Sequence, residues 1–126
     1  MTLRITHLNL GVSDLEETER FYRDALELPV ERAGSDLRVR WDELTLVFTE
    51  NPPSARGKFH IGFRVDGASQ VDEWAQRLRA RNVRVIGEPI SHGGDRRFYF
   101  LDPDQYELEI YSDGRASASD SISCAH

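Results

Sequence analysis

Two histidines stand 53 residues apart in matching surroundings: His7 opens the run His7-Leu8-Asn9-Leu10-Gly11-Val12, and His60 opens His60-Ile61-Gly62-Phe63-Arg64-Val65. At the same offset Phe21 falls on Trp74, Ala25 on Leu78 and Val30 on Val83. A lone strand histidine is more often a hydrogen-bonded core or surface residue than a ligand. A histidine at the same place in each of two repeats is different, because pseudo-twofold symmetry would turn both imidazoles toward one cavity, and neutral imidazole is a favoured ligand of divalent metals. Glu109 offers a third group. In Tyr106-Glu107-Leu108-Glu109-Ile110-Tyr111, strand alternation sends Leu108 and Ile110 to one face and Glu107, Glu109 and Tyr111 to the other. Two imidazoles and one carboxylate make a face that leaves coordination positions open for substrate, water or O₂. The bland alternative is that Glu107 and Glu109 are simply a solvated strand face.

These groups need elements to hold them. Thr6 to Val12 and Phe59 to Val65 alternate with the period of half-buried strands, so His7 and Asn9 share a face opposite Leu8 and Leu10. A helix follows each strand. In the first, Ser13 with Glu16 fits a capping box, and Leu15, Phe21, Tyr22, Ala25 and Leu26 form the apolar stripe. In the second, Ser69 precedes Val71, Trp74, Ala75 and Leu78 at helical spacing. Phe21 and Trp74 are expected in the core. The strands Leu37 to Trp41 and Leu44 to Phe48 complete the first copy; Val83 to Ile86, Arg97 to Leu101 and Glu107 to Tyr111 complete the second. The fold class is therefore α+β, with two βαβββ modules forming a curved mixed sheet around a metal-binding cup. Module one spans 1–50, the linker 51–57 and module two 58–112, as one domain over 1–112 with a flexible tail over 113–126. One module alone has too little core to stand by itself. Trp41 and Phe48 either line the cup or pack beneath it. Arg96 and Arg97 are strand neighbours, so at most one of them, taken as Arg97, reaches it.

Composition narrows the function. The chain has 126 residues, a formal net charge of −6, four histidines and one cysteine, Cys124. An acidic balance without a basic block argues against nucleic-acid binding. The sequence has no apolar run of the length a membrane helix needs and no signal-peptide stretch, and a lone cysteine builds no disulfide scaffold, so a cytoplasmic location is expected. Among 16 basic residues only Lys58 is lysine. Arginine suits oxyanion recognition, although a genome-wide bias accounts for the count equally well.

The paired modules, His7 and His60 at their openings, and Phe98-Tyr99-Phe100-Leu101-Asp102-Pro103-Asp104 leading to Glu109 resemble the vicinal oxygen chelate superfamily over residues 3–112. That group includes glyoxalase I, manganese fosfomycin-resistance enzymes, methylmalonyl-CoA epimerase, extradiol dioxygenases and bleomycin-binding proteins. The resemblance implies that His7, His60 and Glu109 hold a divalent ion, with Fe(II) or Mn(II) favoured and Zn(II), Ni(II) or Co(II) as alternatives. It also implies a small-molecule substrate offering two adjacent oxygens, and a homodimer in which modules of two chains complete each cup. Ile90-Ser91-His92, Phe98-Tyr99, Asp102-Pro103 and Glu109 are similar to the extradiol dioxygenase signature, which would give His92 and Tyr99 catalytic roles beside the substrate. Dioxygenase chemistry is therefore expected slightly ahead of glyoxalase-type lyase or isomerase chemistry and of fosfomycin-type thiol transfer. Asn9, Trp41, Phe48 and Arg97 are the candidate substrate contacts.

The sequence departs from each relative somewhere. Gln105 stands where the extradiol pattern has Gly or Pro, and no histidine lies between Asp36 and Phe59 to serve as the extradiol acid–base group. Asp36, Asp42, Glu43 or Glu50 could stand in only if burial lifted a carboxylate from its ordinary value near 4. Asn9 replaces the substrate-contacting Thr or Cys of the fosfomycin enzymes, and Glu88 to Asp95 replaces their Lys- and Ser-rich loop. Glyoxalase I typically has a fourth ligand, a Glu on the last strand of its first module, where this chain has only Glu50 at the strand end. A non-catalytic binding protein of the bleomycin-sequestering kind is the expectation from another class. Such proteins generally lack the metal triad, which this chain retains.

Overall fold

The computed structural model describes residues 2, 4–41, 43–53 and 60–114, with Trp41 by its backbone. The chain divides into two units, one of Met1–Phe59 with Asp102–Tyr106, the other of His60–Leu101 with Glu107–His126.

The first unit contains β1 (His7–Val12), α1 (Leu15–Arg20) continued by a π-helical segment Phe21–Ala25, β2 (Val30–Ala33), β3 (Asp36–Trp41) and β4 (Leu44–Glu50). Its sheet runs β1-β4-β3-β2. The β1–β4 pair is parallel and the others antiparallel. Register sorts the side chains. One face carries the rows His7, Thr45, Arg40 and Asn9, Val47, Arg38, Glu31. The other carries Leu10, Phe48 and Leu37, all buried, with Leu46 and Val39 between the rows. Tyr22, Leu15, Ala25 and Leu26 are buried in the same unit, and the rings of Tyr22 and Phe48 lie 4.8 Å apart. Phe48 is thus buried, and its strand position faces away from His7.

The second unit contains β5 (His60–Arg64), α2 (Ala68–Ala80), β6 (Arg84–His92), β7 (Asp95–Leu101) and β8 (Glu107–Ser112). Its order, β5-β8-β7-β6, repeats that of the first sheet. Val71, Ala75 and Leu78 of α2 are buried, as are Phe98, Phe100, Leu108 and Ile110 of the sheet. Each of the larger of these side chains, Val, Leu, Ile or Phe, contributes about 1.5–3 kcal/mol by leaving water.

Several local expectations shift. The first helix is capped by Asp14, not Ser13: the Asp14 carboxylate accepts from the Glu16 and Glu17 N–H groups at 2.9 and 3.2 Å. Ser13 is committed elsewhere, donating from its N–H and hydroxyl to Asp104. Phe21 sits where the helix widens into its π-helical turn, so regular helical spacing fails there. It is half-buried, edge-on to Tyr22. Trp74 is also half-buried, under the Arg77 guanidinium 4.6 Å from its ring centre. The second helix begins at Ala68, with the Gln70 carbonyl oxygen accepting from the Asp66 and Gly67 N–H groups. β2 was not separated in the sequence. β6 runs through Glu88 to His92, continuing past a register shift between Ile86 and Ile90.

The loop Asp102–Tyr106, between β7 and β8, belongs to the first unit. One oxygen of Asp102 accepts from the Asp104 and Tyr106 N–H groups, each at 2.9 Å, and the other from the Tyr22 hydroxyl at 2.9 Å. The Tyr106 hydroxyl donates to the Gly11 carbonyl at 2.7 Å. Gln105 takes φ of 69°, the left-handed region that favours glycine. This accounts for a Gly in the related pattern.

Candidate functional site

Register in the second sheet places His60 and Gly62 of β5, Glu107 and Glu109 of β8, and Arg97 and Tyr99 of β7 on one face. Glu109 is 6% exposed, and a carboxylate so deeply buried needs partners. It has two: Oε1 lies 3.4 Å from His60 Nε2, and Oε2 accepts from Arg97 at 3.1 Å. Arg97 also reaches Asp95 at 2.9 Å. Its guanidinium is held above its ordinary value, chiefly by its hydrogen bond to Tyr99, with Glu109 and Asp95 adding to the effect. The Tyr99 ring stands edge-on to His60 at 5.9 Å. Arg96, its strand neighbour, turns the other way and binds Asp72 of α2 at 2.8 Å. Gly62 keeps room beside the carboxylate: a Cβ there would lie 3.2 Å from Glu109 Oε1 and 3.4 Å from the Tyr111 ring.

This donor set fits a divalent cation. Ligand atoms each about 2.1 Å from one ion stand roughly 3.0–3.4 Å apart, the spacing that His60 Nε2 and Glu109 Oε1 already have. Arg97 holds the far oxygen of Glu109 and so fixes the orientation of the near one, in the way groups behind metal ligands do. Among the described residues no group of three or more His, Cys, Asp and Glu side chains stands together as a cluster. His60 and Glu109 lie in the second unit and His7 in the first. The structure thus brings together His60, Glu109, Arg97 and Tyr99. His92 is exposed at the end of β6 and pairs with Asp95, four residues along β7 from Tyr99, or about 13 Å of strand.

In the first unit, His7, Asn9, Asp36, Arg38, Arg40 and Thr45 help to line a cavity of about 380 Å³. His7 Nδ1 is 3.2 Å from the Thr6 hydroxyl. In the tautomer that donates from Nδ1, this contact leaves the Nε2 lone pair free to ligate. The candidate stand-in carboxylates are mostly engaged elsewhere. Glu50 accepts from the Leu15 N–H at 3.2 Å, and Glu43 pairs with Arg4 at 2.9 Å on the surface. Asp36 lines the cavity, while Asp42 and the Trp41 side chain lie outside the described residues. Sequence reasoning missed Arg38, Arg40 and Gly62. The alternation Asp36-x-Arg38-x-Arg40 on a strand was the available sign of a charged face.

The Glyoxalase/Bleomycin resistance protein/Dioxygenase superfamily profile matches residues 4–110. The chain is 29% identical to the glutathione transferase FosA of Serratia marcescens, over 88% of this chain and 82% of that one. It is 27% identical to the lactoylglutathione lyase of Neisseria meningitidis, over 95% and 96% respectively. Among solved structures it is similar to the fosfomycin resistance protein FosX from Listeria monocytogenes, with a TM-score of 0.76, 24% identity, and coverage of 95% of this chain and 98% of that one. Among the described residues no helix is long and apolar enough to cross a membrane.

Proposed function

The chain belongs to the Glyoxalase/Bleomycin resistance protein/Dioxygenase superfamily, and within it we propose a divalent-metal-dependent enzyme that acts on a small substrate through two adjacent oxygens. The observation that carries this reading is the buried Glu109 carboxylate, oriented by Arg97 and set 3.4 Å from His60 Nε2. His60 and Glu109 would hold the ion with His7 as third ligand. Assembly as a homodimer is part of the reading, with the partner subunit's His7 completing the set. A bound divalent ion supplies positive charge that lowers the pKa of chelated oxygens and stabilises enolate or alkoxide charge. The chain's own residues do the rest. Arg97 keeps Glu109 aimed, Tyr99 presents a hydroxyl beside it, and Gly62 leaves the face open for a ligand.

Transferase or lyase chemistry is favoured over the ring cleavage that the extradiol-like stretch led us to expect. The transferase and lyase names of the relatives support this, as does the placement of His92 well along the strand from Tyr99. Between the two branches, Val47 favours the transferase. Glu109 pairs with Gly62 in the second sheet, and Val47 pairs with Asn9 at the equivalent place in the first. A fourth carboxylate ligand of the glyoxalase kind therefore has no counterpart there. Glu50 does not replace it, being turned to Leu15.

Metal analysis tests the enzyme reading directly. We expect about one divalent ion per chain in wild type and its loss in His60→Ala and Glu109→Gln. Purified protein loaded in turn with Mn(II), Ni(II), Zn(II) and Fe(II) should then be offered an epoxide with a thiol, a hemithioacetal, and a catechol with O₂. Turnover of the epoxide supports the transferase branch and turnover of the hemithioacetal the lyase branch. Fe(II)-dependent O₂ uptake with the catechol would restore the dioxygenase, and absence of bound metal would leave a non-catalytic binding protein.

A further inference from the structure

Among the described residues, one buried side-chain polar atom lacks a hydrogen-bond partner: Nε of Arg38. Arg38 is half-buried, and a guanidinium donor taken out of water without an acceptor is costly to leave unmade. Its place explains the vacancy opposite it. Arg38 pairs with Val47, whereas the equivalent row of the second sheet pairs Tyr99 with Glu109. The first sheet thus carries Val47 at the place of Glu109 and an arginine, Arg38, at the place of Tyr99. The side chains of Arg38 and Arg40 meet the same cavity of about 380 Å³ as His7, Asn9 and Asp36.

The charges around this cavity select its ligand. Arg40 is paired with Glu31 at 3.7 Å, so its charge is already opposed. Asp36 on the same wall repels a second negative charge. Among the described residues Arg38 has no carboxylate paired with it and its Nε has no acceptor, and its guanidinium matches one negative charge presented by two oxygens in a plane. We propose that Arg38 binds the carboxylate of a small organic acid through its planar fork, and that this cavity sets the protein's preference for carboxylate-bearing substrates. The Asn9 carboxamide in the same row, across Val47, adds a polar contact. β1 lies two strand spacings, about 10 Å, from β3, so a short acid anchored on Arg38 extends its other oxygens toward His7. Only this last consequence rests on the metal-enzyme reading; carboxylate binding itself does not.

The test follows the arginine Nε–Hε resonances of the purified protein by NMR while acetate, and separately inorganic phosphate, is added. Acetate should move one resonance saturably, and that resonance should be absent in Arg38→Gln. Acetate affinity should fall about tenfold or more in Arg38→Gln, and Arg38→Lys, which keeps the charge without the fork, should recover only part of the loss. Phosphate, carrying more charge, should bind more weakly than acetate. The proposal is overturned by a wild type that gives no saturable acetate response, by an Arg38→Gln protein that binds acetate as well as wild type, or by phosphate binding more tightly than acetate. Mn(II) binding measured on the same samples keeps the two readings apart. Acetate binding without Mn(II) binding sinks the metal site alone, and the reverse sinks the carboxylate site alone.

Discussion

Tyr22→Phe removes one oxygen from the middle of the first unit and little else. Tyr22 is 0% and Asp102 4% exposed, and the hydroxyl donates to the carboxylate at 2.9 Å. The ring contact with Phe48 survives the change, so the apolar contribution is preserved. A buried hydrogen bond to a charged acceptor contributes about 1.5–3 kcal/mol, which sets the expected loss at about 2 kcal/mol when Asp102 is ionised. The loss should depend on pH. Burial pushes the Asp102 carboxyl from 3.8 up to about 6, with Asp104 adding to the rise and the donors Tyr106, Tyr22 and Asp104 opposing it. Burial, and then the charge of Asp102, pushes the Tyr22 phenol well above its usual value, so Tyr22 stays a donor throughout. Because the folded protein binds the Asp102 proton more tightly than the unfolded chain, this group's contribution to stability is fullest below about 4 and is lost as pH rises through about 6. At about 1.4 kcal/mol per pH unit, the wild type should lose about 3 kcal/mol across that window from Asp102 alone. Below it, Asp102 is neutral and the Tyr22 bond is an ordinary one of about 1 kcal/mol. Urea unfolding followed by tryptophan fluorescence, above and below the window, measures both. Equal destabilisation of Tyr22→Phe on the two sides, or a loss under about 0.5 kcal/mol on the alkaline side, would refute the assignment of a charged acceptor.

Gly62→Val should crowd Glu109 Oε1, which stands 3.2 Å from where a Cβ would sit, and lower Mn(II) affinity about 10–100-fold. Equilibrium dialysis checks it, with circular dichroism to confirm folding. His7→Ala and His60→Ala proteins, each unable to bind metal, should regain metal on about half their sites in mixed dimers if ligands come from two subunits, since one of the two sites is then intact. No recovery on mixing would place the full ligand set within one chain. Gln105→Gly should relieve the left-handed φ of 69° and raise stability by about 0.5–1 kcal/mol, a rise of a few degrees in Tm by calorimetry.

The sequence disclosed most about the elements whose period is strict. The strands carrying His60 and Glu109 alternate cleanly, and the shared face that the sequence implied for Glu107, Glu109 and Tyr111 is the face on which register places them. The internal repeat was legible for the same reason, and the two sheets have the same order. Interactions that the local pattern does not carry hid the rest. Ser13 had the residue type of a cap, but Asp104, 91 residues away, claims it. β6 passes through a bulge at Gly87-Glu88-Pro89, where glycine and proline read as loop. Phe48 gave no sign of which way it faced until its register with Leu37 and Leu10 was known. Arg38 stayed invisible because the arginine count was explicable by composition, whereas its meaning lies in the Val47 beside it.

The loop Asp102–Tyr106 also has a consequence for synthesis. The strands and helix of the first unit are all encoded by residue 50. Yet the acceptor for the Tyr22 hydroxyl comes 80 residues later in the chain, that for Ser13 comes 91 later, and the donor to the Gly11 carbonyl comes 95 later. A chain leaving the ribosome from its N-terminus therefore cannot finish its first unit first. That unit waits, with these polar groups left to water, until β5, α2, β6 and β7 of the second unit have been made. Nascent chains stalled before residue 102 should accordingly be the forms most exposed to proteases and chaperones.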